Sequence, residues 1–346
     1  MTDFDERSAR AQAAMDAKTK PQGSLGRLED VAVRLSALQD SLTPAVDPAR
    51  VVVFAADHGV AAEGVSAYPS AVTAEMMKGF VAGGAAVAAL ANAQGVSVRA
   101  VDVGVDADLS GLDGVVHAKV RCGSANLASD AAMTHEELDA ALQVGREAVV
   151  QAASDRCRTL CLGEMGIANT TSAAILVGAL TGSDADSVTG RGTGIDDARL
   201  AIKRRIVADA LQRATPLTDD PMELLRQVGG LEIAALVGAI MEAPAHALLL
   251  VIDGYIVTAA ALVALALRPS VHPWLVFAHR SAEPGHDIAL AACRAEPLLD
   301  LRLRLGEGSG AVLALPLLRA AATILADMAT FESAGVSGPS GDVPTA

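Results

Sequence analysis

Short runs of branched apolar residues alternate along this chain with longer alanine-rich stretches that repeat on a helical period. The runs Val51–Ala56, Val98–Val103, Thr159–Leu162, Leu248–Ile252 and the weaker Trp274–Ala278 are continuously apolar, which predicts strands buried on both faces. Ala71–Ala93, Glu136–Ala153, Asp196–Ala214 and Tyr255–Leu267 have the length and alanine content of helices. Strand and helix alternating in this way predict an α/β fold with a parallel sheet flanked by helices, over residues 46–300. Residues 1–45 and 301–335 are helix-like without convincing strands, so they predict a small helical domain built from both chain ends. Residues 336–346 read as a flexible Gly/Pro/Ser tail.

Each expected strand is followed at its carboxyl end by a polar or glycine cluster: ADHG, DVG, LGEMG, IDGY and AHRS in turn. In an open parallel sheet the ligand crevice lies outside those ends. Separate clusters would therefore converge on one rim and build a site from many loops.

Composition narrows the partners. About half of the 346 residues are apolar but only 2% are aromatic, so the core must close through small side chains and near backbone approach. The net charge of −14, with acids and bases interspersed, argues against a nucleic-acid partner. The opening MTDFDERSARAQ is polar and lacks the pattern of a secretory leader, which gives a cytoplasmic expectation. Ala247–Leu267 approaches the length of a membrane span, but Asp253-Gly254 interrupts it; a strand turning into a helix fits every residue, and no span is expected. Cys122, Cys157, Cys161 and Cys293 form no metal framework and read as reduced thiols, and no metal or cofactor is expected.

Several clusters could carry chemistry. Gly163-Glu164-Met165-Gly166-Ile167-Ala168-Asn169-Thr170-Thr171 runs from a strand end through two glycines into a helix, where unpaired N–H groups favour a phosphate; a plain helix cap by Asn169 or Thr170 fits equally. Gly190-Arg191-Gly192-Thr193-Gly194 precedes a helix carrying Lys203, Arg204 and Arg205. Taken alone, it reads as a flexible surface loop with a solvated basic helix face. Glu307 stands between glycines in Leu305-Gly306-Glu307-Gly308-Ser309-Gly310. Its spacing alone gives an exposed turn glutamate, whereas partial desolvation would make it a base. Asp57 and His58 are adjacent in an extended segment and point to opposite sides, which disfavours a shared metal. His279 and His286 either line the rim or hydrogen-bond within a loop. In Lys20-Pro21-Gln22-Gly23-Ser24, Ser24 is placed to cap the helix that follows.

KPQGSLGRLE, FAADHGV, the Tyr68-Pro69-Ser70 loop, GEMGIANTT, GRGTG, the Asp253-Gly254 turn, HRSAEPGH and LRLGEGSGA together resemble, in order and over nearly the whole chain, the nicotinate-nucleotide:dimethylbenzimidazole phosphoribosyltransferase family of cobalamin assembly. The resemblance implies a Rossmann-like domain, a small helical domain from both ends and a homodimer. It implies transfer of the 5-phosphoribosyl group of nicotinate mononucleotide to a benzimidazole base, with Glu307 as general base. Pro69, Ser70, Met77 and Leu305 would contribute to the benzimidazole pocket, Glu164 and Asp253 to the ribose and nicotinate side, Gly166, Asn169, Gly192 and Lys203 to the phosphate, and Ser281 to the rim. The chain departs from the family where Glu75, Lys78 and Gly79 replace the amide side chains of that helix, so Lys78 bears on which base is accepted. Two rival readings are a non-catalytic nucleotide-binding protein on the same fold, against which Glu307 speaks, and a phosphorolytic glycosyltransferase, which needs inorganic phosphate as acceptor.

Overall fold

The computed structural model describes residues 3–337, so most of the expected 336–346 tail lies outside the described residues. Six strands form one parallel sheet: β1 Ala49–Ala56, β2 Ser97–Gly104, β3 Val115–His117, β4 Thr159–Met165, β5 Leu249–Ile252 and β6 Leu275–Phe277. Their order is β3-β2-β1-β4-β5-β6, the doubly wound arrangement whose direction of winding reverses between β1 and β4. Val53 pairs with Ala100 on one side and Gly163 on the other, so the Asp57-His58 and Glu164–Gly166 segments leave the sheet side by side at the reversal.

Five of the strands follow the apolar runs. β3 does not, because three edge residues, two of them exposed, carry no apolar periodicity. The expected helix Ala71–Ala93 is two helices, Ala71–Ala82 and Ala86–Ala93, since the chain turns at Gly83 with a φ of 78°. This break aims the amino end of the second helix back towards the sheet's rim. Ala247–Leu267 resolves into β5, the Asp253-Gly254 turn and the buried helix Tyr255–Leu267. By length and hydropathy alone, Ser309–Asp327 and the stretch Ala71–Ala93 would also pass for spans.

The scarcity of aromatics is explained where helices His135–Ser154 and Leu231–Glu242 cross. A Cβ on Gly145 would collide with the Ala235 carbonyl, and one on Gly238 with that of Leu142, so the backbones pack almost directly against each other. Thr134 and Glu137 form a capping box at the start of the first of these helices.

The chain divides into two compact units, Asp47–Ala314 and the remainder from both ends. The boundary falls inside helix Ser309–Asp327 rather than at 300/301, and residues 301–314 belong to the larger unit because the Glu307 turn is hydrogen-bonded to β4 and to the β5 turn. The smaller unit contains helices Asp3–Asp16 and Arg27–Gln39. Ser24 does not cap the latter. Instead Glu29 accepts the Leu25 N–H at 2.8 Å and pairs with buried Lys20 at 2.8 Å.

Candidate active site

A cleft opens at the carboxyl ends of β4, β5 and β6. Of the residues singled out from the sequence, Glu164, Gly166, Asn169, Gly192, Ser281 and Leu305 line it, together with Thr170, Thr193, His279, Glu283 and Arg304.

One side of the cleft is an anion cradle. Helix Asn169–Thr181 begins there after Ala168, which has a φ of 77°, and no side chain caps it. Asn169 is not a cap; its amide donates to Glu164 Oε2. The Asn169 and Thr171 N–H groups donate to the Gly166 and Ala168 carbonyls at 3.2 and 3.0 Å, so the uncapped first turn offers a ligand chiefly the positive end of the helix dipole. The GRGTG loop closes over this end: Arg304 donates to the Gly192 carbonyl at 3.1 Å, and the Ala67 N–H to Thr193 Oγ1 at 3.3 Å. Lys203 is not on a solvated face. It is 1% exposed, and its Nζ donates to Thr170 Oγ1 at 2.7 Å and to the Gly190 carbonyl at 3.3 Å, so it acts on the cleft through Thr170 and the loop. Burial lowers its pKa to about 8 against the opposing pull of Glu283.

The other side is an acid turn, of which Leu305 and Gly306 line the cleft and Glu307 itself lies behind them. Gly306, Glu307 and Gly308 have φ values of 90°, 65° and 87°, three consecutive left-handed residues of which only the middle one bears a side chain. The turn is pressed onto β4: the Glu307 N–H donates to the Glu164 carbonyl at 3.2 Å, and a Cβ on Gly163 would collide with the Glu307 carbonyl. Glu307 is 4% exposed, not an open turn residue, and its Oε2 accepts the Val87 N–H at 3.3 Å, at the start of helix Ala86–Ala93. Burial, then the nearby Asp253 charge, pushes its pKa up, while the Val87 bond resists. Glu164 is pushed further, to about 8, by burial and then by the charge of Glu232.

Asp253 stands in the turn between β5 and helix Tyr255–Leu267. It is buried, and its carboxylate accepts the Gly308 N–H at 3.1 Å and the Ala311 N–H at 2.9 Å, capping the helix that follows Glu307. His279, lining the cleft, lies 3.6 Å from Asp253. His286 is structural: its Nδ1 accepts the Ser281 N–H at 2.7 Å, so Nε2 carries the proton towards Thr258 at 2.9 Å, and burial lowers its pKa to about 3.

Pro69, Ser70, Met77 and Lys78 stand outside this cleft, on the loop and helix Ala71–Ala82. Thr73, Met77 and Phe80 form the buried face of that helix, while Pro69 and Lys78 are exposed. Thr73 ties it to the rim, donating to Asp57 at 2.7 Å and accepting the Ile167 N–H at 3.2 Å. Glu232 and Thr73 gave no sequence signal beyond being isolated polar residues in apolar surroundings, whereas Glu283 lies beside Ser281 in the HRSAEPGH loop.

A doubly wound sheet with an uncapped helix start and a glycine loop on one side of its rim and a buried carboxylate on the other has the form of a transferase site. The chain belongs to the phosphoribosyltransferase family DBI_PRT, which matches residues 3–336. It is similar to the nicotinate-nucleotide--dimethylbenzimidazole phosphoribosyltransferases of Chromobacterium violaceum, at 50% identity over 98% of both chains, and of Mycobacterium avium, at 51% over 96% of this chain and 95% of that one. The crystal structure of CobT from Thermus thermophilus superposes with a TM-score of 0.92 at 50% identity, covering 96% of this chain and 99% of that one.

Proposed function

We propose that this enzyme transfers the 5-phosphoribosyl group of nicotinate mononucleotide to 5,6-dimethylbenzimidazole or a related base, giving α-ribazole 5′-phosphate and nicotinate for the lower ligand of cobalamin. The observation that carries the chemistry is Glu307: a buried carboxylate with a raised pKa, held at the rim by a left-handed turn. The donor's nicotinate is already a pyridinium, so it leaves C1′ with its bonding electrons and needs no acid. One benzimidazole nitrogen forms the new bond to C1′ with inversion, and the proton on the other nitrogen passes to Glu307 as positive charge develops. The cradle at Gly166, Asn169 and Gly192, backed by Lys203 through Thr170, takes the 5′-phosphate. Ser281 contributes at the rim, and Leu305, 58% exposed, is free to cover a flat ring.

General-base assistance is typically worth about 10²- to 10⁴-fold. E307Q is expected to lose that much kcat, with the KM for nicotinate mononucleotide little changed, when nicotinate release and riboside phosphate formation are followed by mass spectrometry. Near-normal turnover removes Glu307 from the role. We further propose a cytoplasmic homodimer that neither spans a membrane nor binds nucleic acid. Four free thiols and a charge of −14 support this, and light scattering on the purified protein tests the dimer.

A further inference from the structure

Beneath the anion cradle lies a hydrogen-bonded chain of three buried side chains that no substrate can reach. His58, at the end of β1, has its Nε2 2.7 Å from Glu232 Oε1, and both side chains are wholly buried. Its Nδ1 is 3.2 Å from Ser172 Oγ, and Ser172 donates its own proton to the Gly229 carbonyl at 3.0 Å. That last bond fixes the rest. With the hydroxyl proton committed to Gly229, His58 Nδ1 must be the donor to Ser172, and the short contact between Nε2 and Glu232 then holds a single proton.

The chain is wedged under the turn that opens the cradle. A Cβ on Gly166 would come within 3.2 Å of Glu232 Oε1 and 3.3 Å of His58 Cδ2, and one on Gly230 would collide with the imidazole itself. Two residues beyond Gly166, Ala168 sits in the left-handed region at a φ of 77°. Such a conformation costs an alanine about 1–2 kcal/mol and persists only where the surroundings enforce it. Ser172, one turn further along the same helix, is where His58 takes hold of it.

We propose that His58, Glu232 and Ser172 are positioning residues for the donor's phosphate: by hydrogen bonds, they hold the Gly166–Asn169 turn so that the amino end of the helix faces the cleft. The proposal rests on the phosphoribosyl-transfer reading only for the identity of the donor. Removing one partner of a buried hydrogen bond costs about 1–3 kcal/mol, and about 1.4 kcal/mol corresponds to tenfold in affinity.

The test is steady-state kinetics of the full-length enzyme with both substrates varied. H58A is expected to raise the KM for nicotinate mononucleotide about tenfold, leaving kcat and the KM for dimethylbenzimidazole within about threefold. E232A should do the same, and E232Q should recover most of the loss, because the glutamine amide donates to His58 Nε2 while Nδ1–H stays on Ser172. Should H58A fail to fold, S172A, which removes the Nδ1 partner together with the bond to the Gly229 carbonyl, carries the test with the same selectivity for the donor. Equal damage to kcat and to both KM values, a lowered melting temperature with unchanged kinetics, or E232Q as impaired as E232A would each overturn the proposal. Calorimetric titration with inorganic phosphate, which needs no turnover, separates the two readings. If the parent enzyme does not transfer the phosphoribosyl group, the functional reading fails, and weaker phosphate binding by H58A than by the parent still supports the positioning role, while equal binding overturns it.

Discussion

The two sides of the cleft solve the same problem, holding charge away from water, by opposite means. The cradle does so with backbone: the amino end of a helix, a glycine loop, and a lysine that reaches the cleft only through Thr170 and the Gly190 carbonyl. No single atom there is indispensable, and the load is distributed. The acid turn depends on one carboxylate, in a strained conformation, on a backbone held against β4 at a point that admits no side chain. The difference predicts that the cradle tolerates change by degrees and that the acid turn does not.

The sharpest way to break the comparison is a pair of glycine substitutions. In G163A the new methyl collides with the Glu307 carbonyl, a backbone atom that cannot swing aside, so the turn must move. Activity is expected to fall by about 10²-fold or more, approaching the loss of the base itself, with a stability cost of about 1–3 kcal/mol. In G192A the new methyl meets the Thr170 hydroxyl at 2.9 Å, and Gly192 has a φ of 50°, so the loop is displaced but the base is untouched. The expected result is a donor KM raised about tenfold at nearly constant kcat. Equal kinetic damage by the two substitutions would dissolve the distinction between the sides.

How far the sequence foretold this depended on what each side is made of. Backbone cradles announce themselves through glycine: Gly166 and Gly192 were visible as strand-end and loop glycines, and both line the cleft. Every strand but β3 was visible as an apolar run, because strands buried on both faces have no polar side to confuse the pattern. Glu307 looked like an exposed turn residue because its burial comes from Val87, across a helix break at Gly83, and from β4, far away in the chain. The capping role of Asp253 left no local signal either: the N–H groups it caps lie more than fifty residues downstream. Glu232 is a lone acid in the first turn of an apolar helix, a position that ordinarily complements the helix dipole, and nothing local shows that it faces a histidine.

Glu164 lies between the two sides, with Asn169 on one oxygen and Gly306 close to the other, and it gives a pH test. Its pKa rises from 4.5 to about 8, chiefly by burial and then by the Glu232 charge. A raised folded-state pKa means that the group's stability contribution is full below pH 4.5 and is lost as pH climbs towards 8, because the unfolded chain gives up its proton first. E164Q carries no such proton. Its melting temperature relative to the parent should therefore improve steadily between about pH 5 and about pH 8.5, and a difference independent of pH would show that Glu164 is ionised throughout.

The smallest effect is the most direct probe of the acid turn. Glu307 has a φ of 65°, where a residue with a Cβ is disfavoured by about 1–2 kcal/mol and glycine is not. E307A and E307G both delete the carboxylate and its bond to Val87, so their difference isolates the backbone. If the strain is real, E307G is more stable than E307A by about 1 kcal/mol in denaturant titration, although glycine ordinarily loses to alanine by allowing the unfolded chain more freedom. Both variants lose the base, so the stability gained is what the turn gives up to hold a carboxylate where only glycine sits comfortably. Equal stability, or an advantage for alanine, would mean that the left-handed conformation is imposed at no cost by Gly306 and Gly308 on either side.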